Sequence, residues 1–495
     1  MKSIEQARQE VQTIFAAALE VVDKAQRQSL SGVEVALWSV LLQLGRALLA
    51  LFLARQAVRP RPAQYEHDGK AYRVAETTSS EIGTRFGKVV FSRPVGRQIG
   101  SLRAVRDLPI DRELGLCSGF SLPAVSMLVK LCAQMSFAAA RKTFLDILLW
   151  RPSSRATLRM IDAAGEQARP FLEQAPPPED DGDVLMITVD GKGAPSISSR
   201  EYGRRTRQRK PNKKGTKRRN RRERRREYPR PRRAPGKKSK NAKVAAVGVL
   251  YTLRKTAEGM EGPINKRVYA TFESYRALFE WLDKEAKKRG YGTQRFRRVV
   301  FVADGADTLW ALQQEFFPDA DVCLDWYHVV EKLWKAGKCL HRDNPEHRAA
   351  WVAEQKRRLR RGEVDAVLDE LRALFEKTPR TGPGNKSRRF VLEKTLKHLE
   401  KNVLRLQYQR LRRHDIDIGS GVVEGAVRHL VGVRLDGPGM RWGRDRAESI
   451  LLLRCILIND QWDAFVEFLA AKPQLRLRAQ PLPTRTHDAV QKKAA

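Results

Sequence analysis

The chain has 495 residues, 42% of them hydrophobic, with a formal net charge of +38. That length exceeds one ordinary core and implies two to four domains, while the apolar content excludes a wholly disordered chain. So large a cationic excess favours a polyanionic partner, nucleic acid before a merely basic or ribosome-associated surface, because each phosphate contact releases counterions. Five cysteines without Cys-x-x-Cys spacing indicate neither a zinc ribbon nor a disulfide framework, which fits a reducing cytosol.

In chain order, residues 1–58 predict two helices with a Leu/Ala-rich packing face. Met1–Gln12 reads as an amphipathic helix and not as a signal peptide. Ala36–Arg55 is apolar but interrupted by Arg46, and its uninterrupted parts are short for a bilayer. We read it as a buried or partner-packed helix, with no membrane. Residues 59–110 predict a small β-rich module: Ala63–Tyr65, Ala71–Val74 and the partly alternating Gly87–Arg93 are extended.

Residues 111–178 return to helical periodicity. Helices are expected over Leu122–Met135, from the cap Ser136 to Leu148, and over Arg155–Ala168 behind Ser153 or Ser154. Short helices around tight turns permit a helix-turn-helix that reads DNA; a helical scaffold fits the same pattern. Ala175–Asp183, proline-rich and then acidic, reads as a linker or a tight connection.

Over 184–344 the element order becomes regular. Val184–Val189 is an apolar run of strand length that ends on Asp190. Strands Val244–Leu253 and Arg267–Phe272 (the latter after a turn at Gly262-Pro263), helix Ser274–Lys288, strand Arg298–Val302 ending in Asp304, helix Ala306–Phe316, strand Asp321–Leu324 and helix Tyr327–Leu340 follow. This order predicts an α/β fold, a mixed sheet of ribonuclease-H-like type with the first and fourth strands side by side. Residues 345–412 form an all-α insertion, and 413–468 return to the core with a closing helix over Ser449–Phe465. The tail 469–495 is basic and expected to be disordered.

Between the first two strands lies a basic run. Arg204–Lys240 holds 21 Lys or Arg in 37 residues. Like charges at this density repel and cannot be buried, so the loop 204–240 is expected to be disordered and to wrap on phosphate. Arg204, Arg205, Arg218, Arg219, Arg221, Arg222, Arg224, Arg225 and Arg226 are its candidate DNA contacts.

Three acids stand out. Asp190 and Asp304 each end a strand and precede glycine, and Glu424 lies just inside a helix that Ser420 would cap. Strands one and four, if neighbours, bring the two aspartates together. Three carboxylates would hold two Mg²⁺ ions yet leave positions for water and phosphate. Asp325, after the short strand Val322–Leu324, is the rival for the second position. His328 is a candidate to orient a carboxylate or touch DNA. Trp442 would stack on a base or pack against the final helix, and Arg428 would clamp a phosphate.

These segments resemble bacterial insertion-sequence transposases of the DDE type, of the ISKra group near the Mutator-like transposases, over roughly residues 185–460. Ile187–Gly193 is similar to that family's first acidic motif. Val302–Gly305 with Phe317–Ala320 is similar to the second, Asp325–Val329 to its histidine segment, and Ser420–Gly425 with Gly437–Trp442 to the third. The resemblance implies a retroviral-integrase-like core, Mg²⁺ or Mn²⁺ held by Asp190, Asp304 and Glu424, and strand transfer at the ends of an insertion sequence. It also implies a bacterial, cytoplasmic, nucleoid-associated protein that acts on double-stranded DNA as a homodimer or larger synaptic assembly. Two departures stand beside it: residues 59–110 hold no cysteine for a zinc knuckle, and the arginine-rich loop exceeds the usual pattern. A structure-specific nuclease of the same fold and an inactive transposase-derived DNA-binding protein are the competing readings.

Overall fold

The computed structural model describes residues 3–25, 29–101, 106–198, 203, 242–437 and 440–471. The basic run 204–240 and most of the tail lie outside them, as do Pro438 and Gly439 of the last motif. The chain divides into two compact units, Met1–Phe171 with Gln461–Ala495, and Leu172–Asp460.

The first unit is mainly helical and carries a small sheet. Helices α1 (Ile4–Asp23) and α2 (Leu30–Ala57) precede strands β1 (Gln64–His67), β2 (Lys70–Thr84), β3 (Gly87–Gln98) and β4 (Arg106–Asp107), paired antiparallel in that order. Leu53 from α2 joins Ile82, Val89, Phe91 and Ile110 in one core, so the second helix closes one face of the sheet. Helices α3 (Pro109–Glu113), α4 (Leu122–Gln134), α5 (Phe137–Leu148) and α6 (Ser154–Gln174) follow. Two of their caps are the expected ones, Ser136 Oγ accepting from Ala139 N and Ser153 Oγ from Ala156 N, whereas Ser121, the cap expected for α4, makes no side-chain cap bond. α6 runs past Ala168, the expected end, with Pro170 inside it. Burial of Phe171 and Leu172 on its far side offsets the roughly 3 kcal/mol that an interior proline costs.

The second unit is built on a five-stranded mixed sheet in the order β7-β6-β5-β8-β9. β5 (Val184–Pro195), β6 (Ala242–Thr256) and β7 (Gly259–Thr271) form an antiparallel meander. β8 (Arg298–Ala303) pairs parallel with β5, and β9 (Asp321–Leu324) parallel with β8. The first and fourth strands of this sheet are thus neighbours. Val184–Val189 is buried throughout, the pattern of a central strand covered on both faces. The turn into β7 falls before Gly259, and Gly262-Pro263 lies inside that strand. β7 is an edge, where a missing N–H leaves no ladder bond unmade, and its register with β6 shifts there.

Helices α7 (Tyr275–Lys288), α8 (Asp307–Phe316) and α9 (Trp326–Leu340) alternate with the strands. α10 (Pro345–Arg361), α11 (Val364–Lys377), α12 (Asn385–Lys401) and α13 (Tyr408–Arg412) form the helical stretch. α14 (Gly421–Val427), a π turn over Arg428–Gly432, α15 (Val433–Leu435) and α16 (Arg444–Ile458) end the unit, and α17 (Trp462–Ala470) belongs to the first.

The expected closing helix over Ser449–Phe465 is therefore two helices. The break is local chemistry. Asn459 turns its amide onto β7, where it accepts from Val268 N (2.8 Å) and donates to Val268 O (3.1 Å), and Asp460 adopts φ 54°. Glu448, three turns earlier, accepts from Thr271 Oγ1 and Phe272 N, both 2.7 Å. Asn459→Ala should cost about 1–3 kcal/mol, measured by urea unfolding, because it orphans two backbone groups of an edge strand. A change within error would mean that α16 is held without them.

Candidate metal-binding site

The parallel half of the sheet sets the geometry. Val189 is in register with Ala303, and Ala303 with Leu324. The next residue on each strand is an aspartate: Asp190, Asp304 and Asp325. Three carboxylates therefore leave three adjacent strands at one level, from strands about 4.8 Å apart. The carboxyl edge of parallel strands is the usual place for a ligand in α/β sheets.

Each acid is held differently. Asp190 lies where β5 runs on beside β6, its Oδ1 accepting from Gly191 N at 2.6 Å. Burial raises its pKa, and the charges of Asp304 and Glu424 push the same way. Asp304 sits in the turn into α8 and accepts from Ala306 N at 3.0 Å. Asp325 is fully buried and caps α9: Oδ1 accepts from Tyr327 N (3.4 Å) and Oδ2 from His328 N (3.0 Å).

Asp325 also bonds the His328 imidazole through Nδ1. Burial alone would raise the Asp325 pKa. The bonds from His328 and Ser420, with the imidazolium charge, prevail and hold it below the usual value. The same bond raises His328 to about 9, with Asp304 and Asp190 adding to the attraction. The pair is thus ionic near neutral pH.

Glu424 arrives from the far side of the helical stretch. Its approach is fixed by the junction of β9 and α9: Trp326 N donates to Ile418 O (3.2 Å) and Ser420 N to Asp325 Oδ1 (2.7 Å). Gly419 lies against the Tyr327 ring, where a side chain would collide. Ser420 was expected to cap the Glu424 helix; instead its hydroxyl donates to Glu424 Oε1 at 3.1 Å. Ser420 so ties Glu424 to Asp325.

The closest grouping differs from the expected one. Among the described residues, one set of three potential ligands lies within 4.8 Å: Asp325, His328 and Glu424. Asp190 and Asp304 do not belong to that set, but they are near enough for their charges to act on His328. The rival acid Asp325 is therefore in direct contact with the site. The donors free for a cation are carboxylate oxygens, a set that suits Mg²⁺ or Mn²⁺; the His328 ring, charged and bonded to Asp325, is not one of them.

Several neighbours had little signal in the sequence. Tyr275 of α7 has its pKa raised to about 12 by burial and by Asp190 and Asp304; its hydroxyl occupies the space where a Gly191 side chain would be. His398 of α12 packs where a Gly305 side chain would be, beside Asp304. Burial and the nearby Lys332 charge lower its pKa to about 4, so it is neutral, and its Nε2 has no partner among the described residues. Lys332 lies one turn after His328 on α9, a spacing the sequence does offer.

Of the remaining candidates, Arg428 is exposed one turn beyond Glu424, at the start of the π turn. Trp442 is buried: its N–H donates to Pro195 O and Ile197 N donates to its carbonyl, so it pins the end of β5. Its indole donates to Leu435 O, and the Arg434 guanidinium lies 4.7 Å from the ring centre. Its contacts are thus to the end of β5 and to the Arg434–Leu435 turn, where packing on the final helix was expected. The candidate arginines Arg204 to Arg226 lie outside the described residues.

No protein-family model matches the chain, and no curated protein matches it significantly.

The His328–Asp325 pair has a pH signature. A folded-state pKa above the ordinary 6.5 means that the pair stabilises fully below about pH 6.5 and that this contribution is lost as pH rises through about 9. In divalent-free protein the His328 imidazole should titrate near 9 by NMR. The stability gap to His328→Gln should shrink over the same window. Titration near 6.5 would contradict the pairing.

Proposed function

We propose that the chain is a metal-dependent DNA transposase with a ribonuclease-H-like core, cutting at the ends of an insertion sequence and joining the 3′ ends to target DNA. The single observation that carries the reading is the row of Asp190, Asp304 and Asp325 on three adjacent strands, with Glu424 delivered to it from across the helical stretch. Acids that repel one another have little structural use at one level of a sheet, and a divalent ion is the chemistry they fit. The net charge of +38, half of it in the run 204–240, supports a phosphate-bearing substrate. The motifs similar to DDE transposases support double-stranded DNA as that substrate.

In this reading Asp190, Asp304 and Glu424 hold Mg²⁺ or Mn²⁺, with Asp325 and His328 at its margin. The bound ions would activate the attacking oxygen and stabilise the leaving one. The chain's own groups do the positioning. Asp325 keeps the His328 imidazole charged and oriented, and Ser420 holds the Glu424 carboxylate. Lys332 and Arg428 supply positive charge for the phosphate that enters among the acids. Hydrolysis breaks the bond from phosphorus to O3′ at the element's end and leaves a 3′-hydroxyl. Transfer then forms one phosphodiester as one in the target breaks, so no nucleotide cofactor is required. Two DNA ends call for two active sites, hence a homodimer or larger assembly.

Purified protein with Mg²⁺ should nick labelled DNA carrying the inverted repeats that flank its own gene, at the repeat boundary. Asp190→Asn should keep DNA binding and lose cleavage by at least about a hundredfold. Cleavage scattered along any DNA would favour a structure-specific nuclease. No metal-dependent cleavage, with binding intact, would leave a DNA-binding protein.

A further inference from the structure

Leu30–Ala57 is 28 residues long, about 42 Å of helix, and has a mean hydropathy of 1.8 over its most apolar window. A helix of that composition in a folded domain should be buried, yet of its 28 residues only Leu42, Ala47, Leu53 and Ala54 are. Leu30, Val35, Trp38, Leu41, Leu48 and Phe52 are 45–83% exposed. On α1, Phe15, Leu19 and Val22 are more than half exposed. So large an apolar face on a hairpin of two helices marks an interaction site.

The order of residues says what covers it. Trp38, Leu41, Gly45, Leu48 and Phe52 alternate three and four residues apart, the spacing of a helix–helix seam. The set is nearly the same read in either direction: aromatic, leucine, glycine, leucine, aromatic. Its midpoint is Gly45, which the half-exposed Phe86 ring of the β2–β3 turn covers so closely that a side chain there would collide. A two-fold axis at that point sets Trp38 against Phe52 of the other copy and Leu41 near Leu48. It also sets Glu34 beside Arg55, at opposite ends of the same helix. Neither has an ion-pair partner among the described residues.

We propose that this face is the interface between two copies of the chain, with the α2 helices packed antiparallel about Gly45 and Phe86. The interface is isologous, since one surface supplies both halves of every contact. A lipid surface fits less well. α1 carries Glu5, Glu10, Glu20 and Asp23 against Arg8, whereas a helix that lies on anionic lipid presents lysines and arginines. The interface stands independently of the acidic site.

Sedimentation of the full chain, after nuclease treatment and in high salt so that nucleic acid cannot bridge copies, tests it. The wild type should sediment as a dimer. Leu41→Glu with Leu48→Glu should give monomers of unchanged helical circular dichroism. Because unfolding could mimic loss of pairing, the charges give a second arm. Glu34→Arg should weaken dimerisation roughly five- to tenfold, and Glu34→Arg with Arg55→Glu should restore it. A monomeric wild type overturns the proposal, as does a dimer indifferent to all four substitutions. A monomer that floats with phosphatidylcholine vesicles overturns it in favour of lipid. The nicking assay can fail without touching any of these outcomes.

Discussion

Carboxylates placed side by side repel, and the second unit places Asp190, Asp304 and Asp325 on neighbouring strands with Glu424 facing them. Two things make this tolerable without an ion. Backbone N–H groups at the first turns of α8 and α9 bond Asp304 and Asp325, where the helix dipole also favours negative charge. The imidazolium of His328 is the other, and burial still raises the pKa of Asp190 against that attraction. What remains is an electrostatic demand that a divalent cation would meet.

Much of this was legible in the sequence because the governing signal was local. A continuous apolar run such as Val184–Val189 fits a strand covered on both faces, and Asp190 follows it at the level where the parallel neighbour β8 stops, although β5 itself runs on to Pro195 beside β6. The order of elements then made β5 and β8 neighbours. The same logic applies to β9, whose four residues give Asp325 the same position; its short length made the longer β8 the more persuasive strand. Helix caps at Ser136 and Ser153 were legible for the same reason, a hydroxyl within three residues of the donor it satisfies.

What was not legible depends on contacts distant in sequence. Ser420 looks like a cap because serine before a helix usually is one. It is drawn to Asp325 and Glu424 by the way Ile418 joins the β9 junction. Asn459 ends a helix that its neighbours would continue, because Val268, 191 residues away, offers both a donor and an acceptor. The α2 helix shows the limit in the other direction. Its composition demands cover, and the fold of one copy supplies it only in part.

Diffraction from crystals grown with Mn²⁺, recorded at the manganese absorption edge, bears most directly on the central claim. An anomalous peak is expected among the carboxylates of Asp190, Asp304 and Glu424, lost in the Asp190→Asn protein. No peak there, or one held by Asp325 and His328 alone and unchanged by that substitution, would contradict it.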